Sequence, residues 1–253
     1  MSEAEDGTPR TRAIRSFVRR QGRFTPAQRA AWDRLWAGCG LDPADGKLDP
    51  VSVFPGCSRL VVEIGFGMGY TLAELAARDP ACGFVGIEVH RPGVGKLLAL
   101  AGEQGLGNVR VYCHDAVEVL ERCIPDAALD ALLLFFPDPW HKKRHHKRRL
   151  VQPPFVALVQ RKLKPGGIFH LATDWEDYAG QMLAVIESQP GWLNLAGAGC
   201  FARRPATRPQ TRFEARGLRL GHAVHDLLFR RQTPPPEHAD GHAQANSPST
   251  ESR

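Results

Sequence analysis

Between residues 59 and 172, short apolar runs alternate with segments of helix length. Residues 60–64, 83–89, 108–112, 129–136 and 167–172 are apolar with little polar alternation, as strands buried on both faces must be. Strands of that kind separated by helices build a parallel sheet covered on both sides, so the pattern predicts a doubly wound α/β fold. Upstream, Thr25-Pro26-Ala27-Gln28 carries a helix start: a threonine cap, a proline at the first helical position and a glutamine three residues after the cap. Trp32, Leu35 and Trp36 follow at helical spacing and are expected to pack against a core. Residues 1–12 and 233–253 have too few large apolar side chains to offset ordering entropy and are expected to be disordered. The chain thus divides into a tail at 1–12, an arm with a helix at 13–50, one α/β domain at 51–232 and a Pro-rich tail at 233–253.

Doubly wound sheets bind ligands at the carboxyl ends of their strands, so the residues closing each run carry the candidate chemistry. The first run ends Glu63-Ile64-Gly65-Phe66-Gly67-Met68-Gly69-Tyr70. Gly65 and Gly67 let the backbone approach a ligand where a side chain would collide. Tyr70 stands where the dinucleotide fingerprint needs its third glycine. An acid two residues before the first glycine suits a ligand with a cationic amino group and no pyrophosphate, and S-adenosylmethionine is such a ligand. On that reading Glu63 attracts the ammonium, Glu88 at the end of the second run accepts from the ribose hydroxyls, and Asp115 after the third accepts from the adenine amino group. The fourth run passes into Phe136-Pro137-Asp138-Pro139-Trp140, where two prolines restrict the backbone around Asp138 beside an aromatic face.

Charge sharpens the picture. The 253 residues carry 33 Lys+Arg against 27 Asp+Glu, a net charge of +6. Six cations fall within 142–149 (Lys142, Lys143, Arg144, Lys147, Arg148 and Arg149), so the rest of the chain is neutral and the excess is a local patch. A basic patch at the mouth of a ligand site, next to a rigid acid and an aromatic, indicates a base within a folded nucleic acid. The six cysteines form no Cys-x-x-Cys pair and no zinc spacing, so neither a metal nor a disulfide framework is expected. No apolar run approaches the roughly 18 residues of a membrane helix, and the acidic N-terminus lacks the order of a signal peptide, so a cytoplasmic protein is expected. Methyltransferases of exocyclic amines share the acid between prolines after the fourth strand. Dinucleotide-dependent oxidoreductases share the strand-turn-helix, but explain Tyr70 and Asp115 poorly. A pure RNA-binding module is disfavoured, because acids at the strand ends repel phosphate.

Five segments together resemble one family: Arg15-Ser16-Phe17-Val18-Arg19-Arg20-Gln21-Gly22-Arg23, Glu63 to Gly69, Phe136-Pro137-Asp138-Pro139-Trp140-His141-Lys142 with the basic run, Thr173-Asp174-Trp175-Glu176-Asp177-Tyr178-Ala179, and Arg204-Pro205 with Thr211-Arg212-Phe213-Glu214-Ala215-Arg216-Gly217 and Gly221-His222. The chain resembles the bacterial single-chain tRNA (guanine-N7-)-methyltransferases over residues 15 to about 231. The resemblance implies a seven-stranded, Rossmann-like class I sheet, with S-adenosylmethionine held by Glu63, Glu88, Asp115 and Asp138. It implies Asp138 as the catalytic residue and substrate contacts at Lys142, Asp174, Thr211, Arg212, Phe213 and Glu214. RNA contact is implied at Arg144, His145, His146, Lys147, Arg148 and Arg149, with guanosine 46 in the tRNA variable loop as the target and 7-methylguanosine as the product. No obligatory protein partner is implied, the chain acting as monomer or homodimer. For Thr211, Arg212 and Glu214, a lid over the base and an Arg212–Glu214 pair within a β-hairpin are alternative readings. His222 and His225, on the last strand, are expected to be structural.

Overall fold

The computed structural model describes residues 16–17, 22–211, 214 and 223–233. The first helix, α1 (Pro26–Cys39), begins where the cap predicts: Thr25 Oγ1 accepts from the Gln28 N–H at 3.2 Å and Gln28 Oε1 accepts from the Thr25 N–H at 2.9 Å. Its Trp32 and Trp36 stack at 4.3 Å. They lie against the apolar cluster of Val94, Leu97 and Leu98 on the long helix 91–104.

The strands are β1 (Gly40–Leu41), β2 (Arg59–Ile64), β3 (Cys82–Ile87), β4 (Val109–Tyr112), β5 (Leu129–Phe135), β6 (Leu163–Thr173), β7 (Trp192–Asn194) and β8 (His225–Arg231). Between them run α2 (Pro50–Val53), α3 (Tyr70–Arg78), α4 (Arg91–Gln104), α5 (Ala116–Arg122), α6 (Pro153–Lys162) and α7 (Glu176–Glu187). The sheet order is β1-β4-β3-β2-β5-β6-β8-β7, with β1 through β6 paired in parallel and β8 antiparallel to both neighbours. The predicted strands appear within a few residues of their expected bounds. Of three core clusters among the described residues, two are large: Phe84, Val94, Leu97 and Val111 pack with α1, α3 and α4, while Val62, Leu132, Phe169 and Met182 pack with α5, α6 and α7; the third joins Leu133, Phe135 and Ala172.

Among the described residues the sheet has eight strands where the resemblance implies seven. The extra one is β1, two residues of the arm that pair Gly40 with Val111 and Leu41 with Tyr112. It covers the outer edge of β4, whose backbone groups would otherwise be left to solvent. The arm is therefore part of the sheet as well as of its helical cover. At the centre, β2 pairs with β3 on one side and β5 on the other. Chain order reverses between β2 and β5, and the crevice above their carboxyl ends is where such a sheet binds its ligand.

Candidate active site

A cavity of about 790 Å³ opens over that crevice. Ile64, Ile87 and Leu134 at the strand ends form its floor, and Gly65, Glu88, His114, Asp138, Trp140 and Lys142 stand on its walls. The glycine turn is built from three left-handed residues, Gly65 (φ 71°), Gly67 (φ 59°) and Gly69 (φ 75°), a conformation that costs glycine no steric strain. Glu88 fixes the turn: its Oε2 accepts from the Gly67 N–H at 3.0 Å, and its Oε1 accepts from the N–H groups of Val89 and His90 at 2.7 and 2.9 Å. On the other side α4 meets the turn at Gly93, where a Cβ would fall 2.0 Å from the Gly67 carbonyl oxygen.

Below the turn, Glu63 is 3% exposed and its Oε2 has no hydrogen-bond partner. Burial, and then the neighbouring charge of Glu88, push its carboxyl pKa up to about 8. A buried acid oxygen without a donor is costly, and a ligand ammonium would remove that cost. This orphaned oxygen, beneath a turn whose Gly65 and Gly67 face open space, fits S-adenosylmethionine. Three expected cofactor residues are off the cavity lining, Glu63 among them, next in sequence to the floor residue Ile64. Asp115 is the N-cap of α5, its Oδ1 accepting from the Val117 N–H at 2.9 Å, and the cavity wall at that point is His114. Gly67 is likewise off the lining, its N–H bonded to Glu88.

Beyond β5 the backbone is strained. Phe136 (φ 52°) and Trp140 (φ 48°) are left-handed without being glycine, each at a cost of about 1–3 kcal/mol. The loop is pinned at several points: the Phe136 N–H donates to the Ala172 carbonyl at 2.7 Å, Trp140 Nε1–H donates to the Ser16 carbonyl at 3.1 Å, and the Arg148 guanidinium lies 4.9 Å from the Trp140 ring centre. Asp138, between the strained residues, is exposed and faces the cavity, and Phe17 of the arm lines the same space. The basic run continues as a 3-10 turn, Lys143–Arg148. Lys142, Lys143, Arg144 and Lys147 are exposed, whereas His145, His146 and Arg148 are half-buried. Partial burial, then the charges of Arg144, Arg148, Lys142 and Lys147, hold His145 below the usual histidine range. Arg149 departs from the expected RNA contact: its side chain is 1% exposed and turned inward, so it adds nothing to the exposed patch.

Asp174 closes β6, half-buried, and its neighbour Trp175 meets His141 with ring centres 4.2 Å apart. Of the 211–214 segment the structure describes Thr211 and Glu214, so the Arg212–Glu214 reading lies outside the described residues. Thr211 Oγ1 accepts from the Glu214 N–H at 3.0 Å and the Thr211 N–H donates to Glu214 Oε2 at 3.4 Å, a reciprocal helix cap. Glu214 is 4% exposed and takes two hydrogen bonds from Arg208, at 2.8 and 3.0 Å. Arg208 also donates to both oxygens of Asp226, at 2.8 and 2.9 Å, and Asp226 bonds His170 at 2.8 Å. Both Glu214 oxygens are thereby bonded to Arg208. The Thr-x-x-Glu spacing carried that signal in the sequence. Arg212, Phe213 and His222 lie outside the described residues.

Residues 58–227 match a family model described as "Putative methyltransferase". The chain is 58% identical over 221 residues to the tRNA (guanine-N(7)-)-methyltransferase of Alcanivorax borkumensis, covering 87% of this chain and 92% of that protein. It is 56% identical over 227 residues to the protein of the same name from Cronobacter sakazakii, covering 90% and 95%. The chain belongs to this methyltransferase family. Its fold is also that of solved methyltransferases: the 16S rRNA methyltransferase KamB (17% identity, TM-score 0.55, 72% of this chain and 92% of that one) and the antibiotic-resistance methyltransferase Kmr (14% identity, TM-score 0.52, 77% and 95%). The span that matches the methyltransferase family model holds the glycine turn, the Asp138 loop and the Arg208 network, while α1 and Ser16, which accepts from Trp140, precede it. Sequence reasoning missed His114 on the wall, the inward Arg149 and the buried Arg208. Nothing in the spacing of Arg149 separates it from its exposed neighbours.

Proposed function

We propose that the chain transfers the methyl group of S-adenosylmethionine to N7 of guanosine 46 in the variable loop of tRNA, giving 7-methylguanosine. One observation carries this reading: a single strained loop sets Asp138 on the wall of the cavity and runs directly into the exposed cations Lys142, Lys143, Arg144 and Lys147. A polyanion bound by that run brings its base to the cavity mouth. The names of the relatives support the substrate class and the target atom; position 46 rests on the resemblance.

S-adenosylmethionine, when bound, supplies an electrophilic methyl group on a cationic sulfur. Glu63 and Glu88 are the residues that would hold its ammonium and ribose, with Gly65, Gly67, Asp115 and Asp138 around it. Guanine N7 already presents a lone pair, so the chain needs no general base to make the nucleophile. Its residues contribute orientation, which supplies up to roughly 7–11 kcal/mol in model reactions. The Asp138 carboxylate accepts from the guanine N–H edge and stabilises the positive charge the ring acquires. Trp140 offers a flat face beside it, Lys142 and the exposed cations hold phosphates without reading sequence, and Asp174 and Thr211 border the base. We read residues 51–232 as the transferase unit and the arm at 13–50 as its cover, acting as monomer or homodimer in the cytoplasm. Among the described residues no helix is long and apolar enough to cross a membrane.

The test is transfer of labelled methyl from S-adenosylmethionine to unmodified tRNA, followed by nucleoside analysis and a tRNA with guanosine 46 replaced. Label in 7-methylguanosine that disappears with the replaced tRNA is the expected result. Label in another nucleoside moves the target, and absence of transfer removes the reading.

A further inference from the structure

We infer that Arg149 is a positioning residue for Asp138, clamping the far end of the strained loop to α7, and that it serves methyl transfer and not tRNA binding. This rests on the methyl-transfer reading above. By sequence Arg149 is the last of six cations and belongs with the phosphate contacts. The structure turns it away from the exposed cations, its one side-chain contact within the run being His146 Nε2 at 3.1 Å. Its Nε–H donates to the Pro139 carbonyl at 2.8 Å, and its two terminal nitrogens donate to Gln181 Oε1 and Asp177 Oδ2, each at 2.5 Å. The guanidinium lies 4.7 Å from the ring centre of Tyr178. One planar fork therefore joins the Pro139 carbonyl, one residue past Asp138, to three residues of α7.

That junction matters because of the strain on either side of Asp138. Left-handed Phe136 and Trp140 persist only if the surroundings over-determine the loop. The Phe136 end is held by the Ala172 carbonyl of β6, and Arg149 holds the Pro139 end. Asp138 stands between the two pins. The helix that receives the clamp starts just after Asp174, so Arg149 also sets the distance between the two acid-bearing segments proposed to border the base. A lysine cannot substitute, because one ammonium on a flexible stem lacks the guanidinium's fixed fork of five donors.

Arg149→Lys and Arg149→Met in the full chain decide the matter. The readout is the single-turnover methyl-transfer rate at saturating tRNA, per molecule that binds S-adenosylhomocysteine, together with tRNA affinity across a salt series. Normalising to competent molecules removes any loss due to unfolding. The expected result is a rate lowered by on the order of 100-fold in the Met variant, no full rescue by Lys, and unchanged tRNA affinity and salt slope. A wild-type rate per competent molecule, or a shallower salt slope, overturns the assignment. If neither variant folds, Gln181→Leu, which removes one arm of the fork, decides in their place: a several-fold slower transfer is expected, and an unchanged rate overturns it. Wild-type enzyme run alongside separates the two levels: no transfer by the wild type defeats the reading beneath, whereas wild-type transfer with undiminished variants defeats only the clamp.

Discussion

Glu63 and Asp226 are both almost wholly buried, at 3% and 1% exposure, and their carboxyls are shifted in opposite directions. Burial raises Glu63, Glu88 adds to it, and no donor reaches its Oε2. Burial works against Asp226 too, but hydrogen bonds from His170 and Arg208, reinforced by their charges, outweigh it and hold the carboxyl below the usual range. The same residue class at the same depth is an open question in one place and a closed one in the other. An acid whose partners are all in the fold is architecture, and an acid left short of a partner at the end of a central strand is a candidate for a ligand.

The comparison fails outright if a buried acid performs the chemistry, so the largest effect is expected at the exposed one. Asp138→Asn should lower turnover by on the order of 10²–10³-fold while tRNA affinity holds, measured by single-turnover transfer and by tRNA titration. Next comes the closed acid: Asp226→Asn leaves Arg208 short of a counter-charge and should destabilise the fold by about 3 kcal/mol, read from denaturant midpoints. Its match, Glu63→Gln, should leave the ligand-free fold as stable or more so.

Glu63→Gln should instead weaken S-adenosylhomocysteine binding by roughly 10–100-fold, the worth of a charge-assisted hydrogen bond, as isothermal titration would show. The pH dependence follows with its sign. Ligand-free Glu63 keeps its proton below about 8, and an ammonium ligand requires the carboxylate, so binding expels a proton. Affinity should therefore rise from pH 6 to pH 7 by up to about tenfold, and the Gln variant should be flat. Stability of the ligand-free chain runs the other way with pH at this residue: the raised Glu63 favours the fold below its ordinary 4.5 and loses that contribution as pH climbs toward about 8, whereas Asp226 contributes above its ordinary 3.8 and loses it in acid. The smallest effect extends the contrast to cations. Arg144→Gln with Lys147→Gln, both exposed, should reduce the log–log salt slope of tRNA binding by roughly 1.4–1.8, and an unchanged slope would reject them as phosphate contacts.

Much of the site was legible because its rules are local. The cap at Thr25 and Gln28, the left-handed glycines after β2 and the prolines around Asp138 each depend on a few adjacent residues, and the five predicted strands follow from apolar runs. The Thr211–Glu214 cap was equally local and could have been read from its spacing. Arg149 and Arg208 were not legible in that way. Arg149 meets Asp177 and Gln181 across 28 and 32 positions, and Arg208 meets Asp226 across 18.

By itself the sequence determined the doubly wound class, the strand ends that carry acids, the family, and the coincidence of a rigid acid with a cationic run. Backbone propensity and hydrophobic period act over a handful of residues and need no knowledge of what lies opposite. Only the tertiary structure decided which acids keep an unpaired oxygen, which arginine of the run turns inward, and that the arm lends a strand to the sheet edge and a phenylalanine to the cavity. Burial and pairing are properties of segments brought together from far apart. A charge can be read from one residue, but whether water or protein answers it depends on the whole fold.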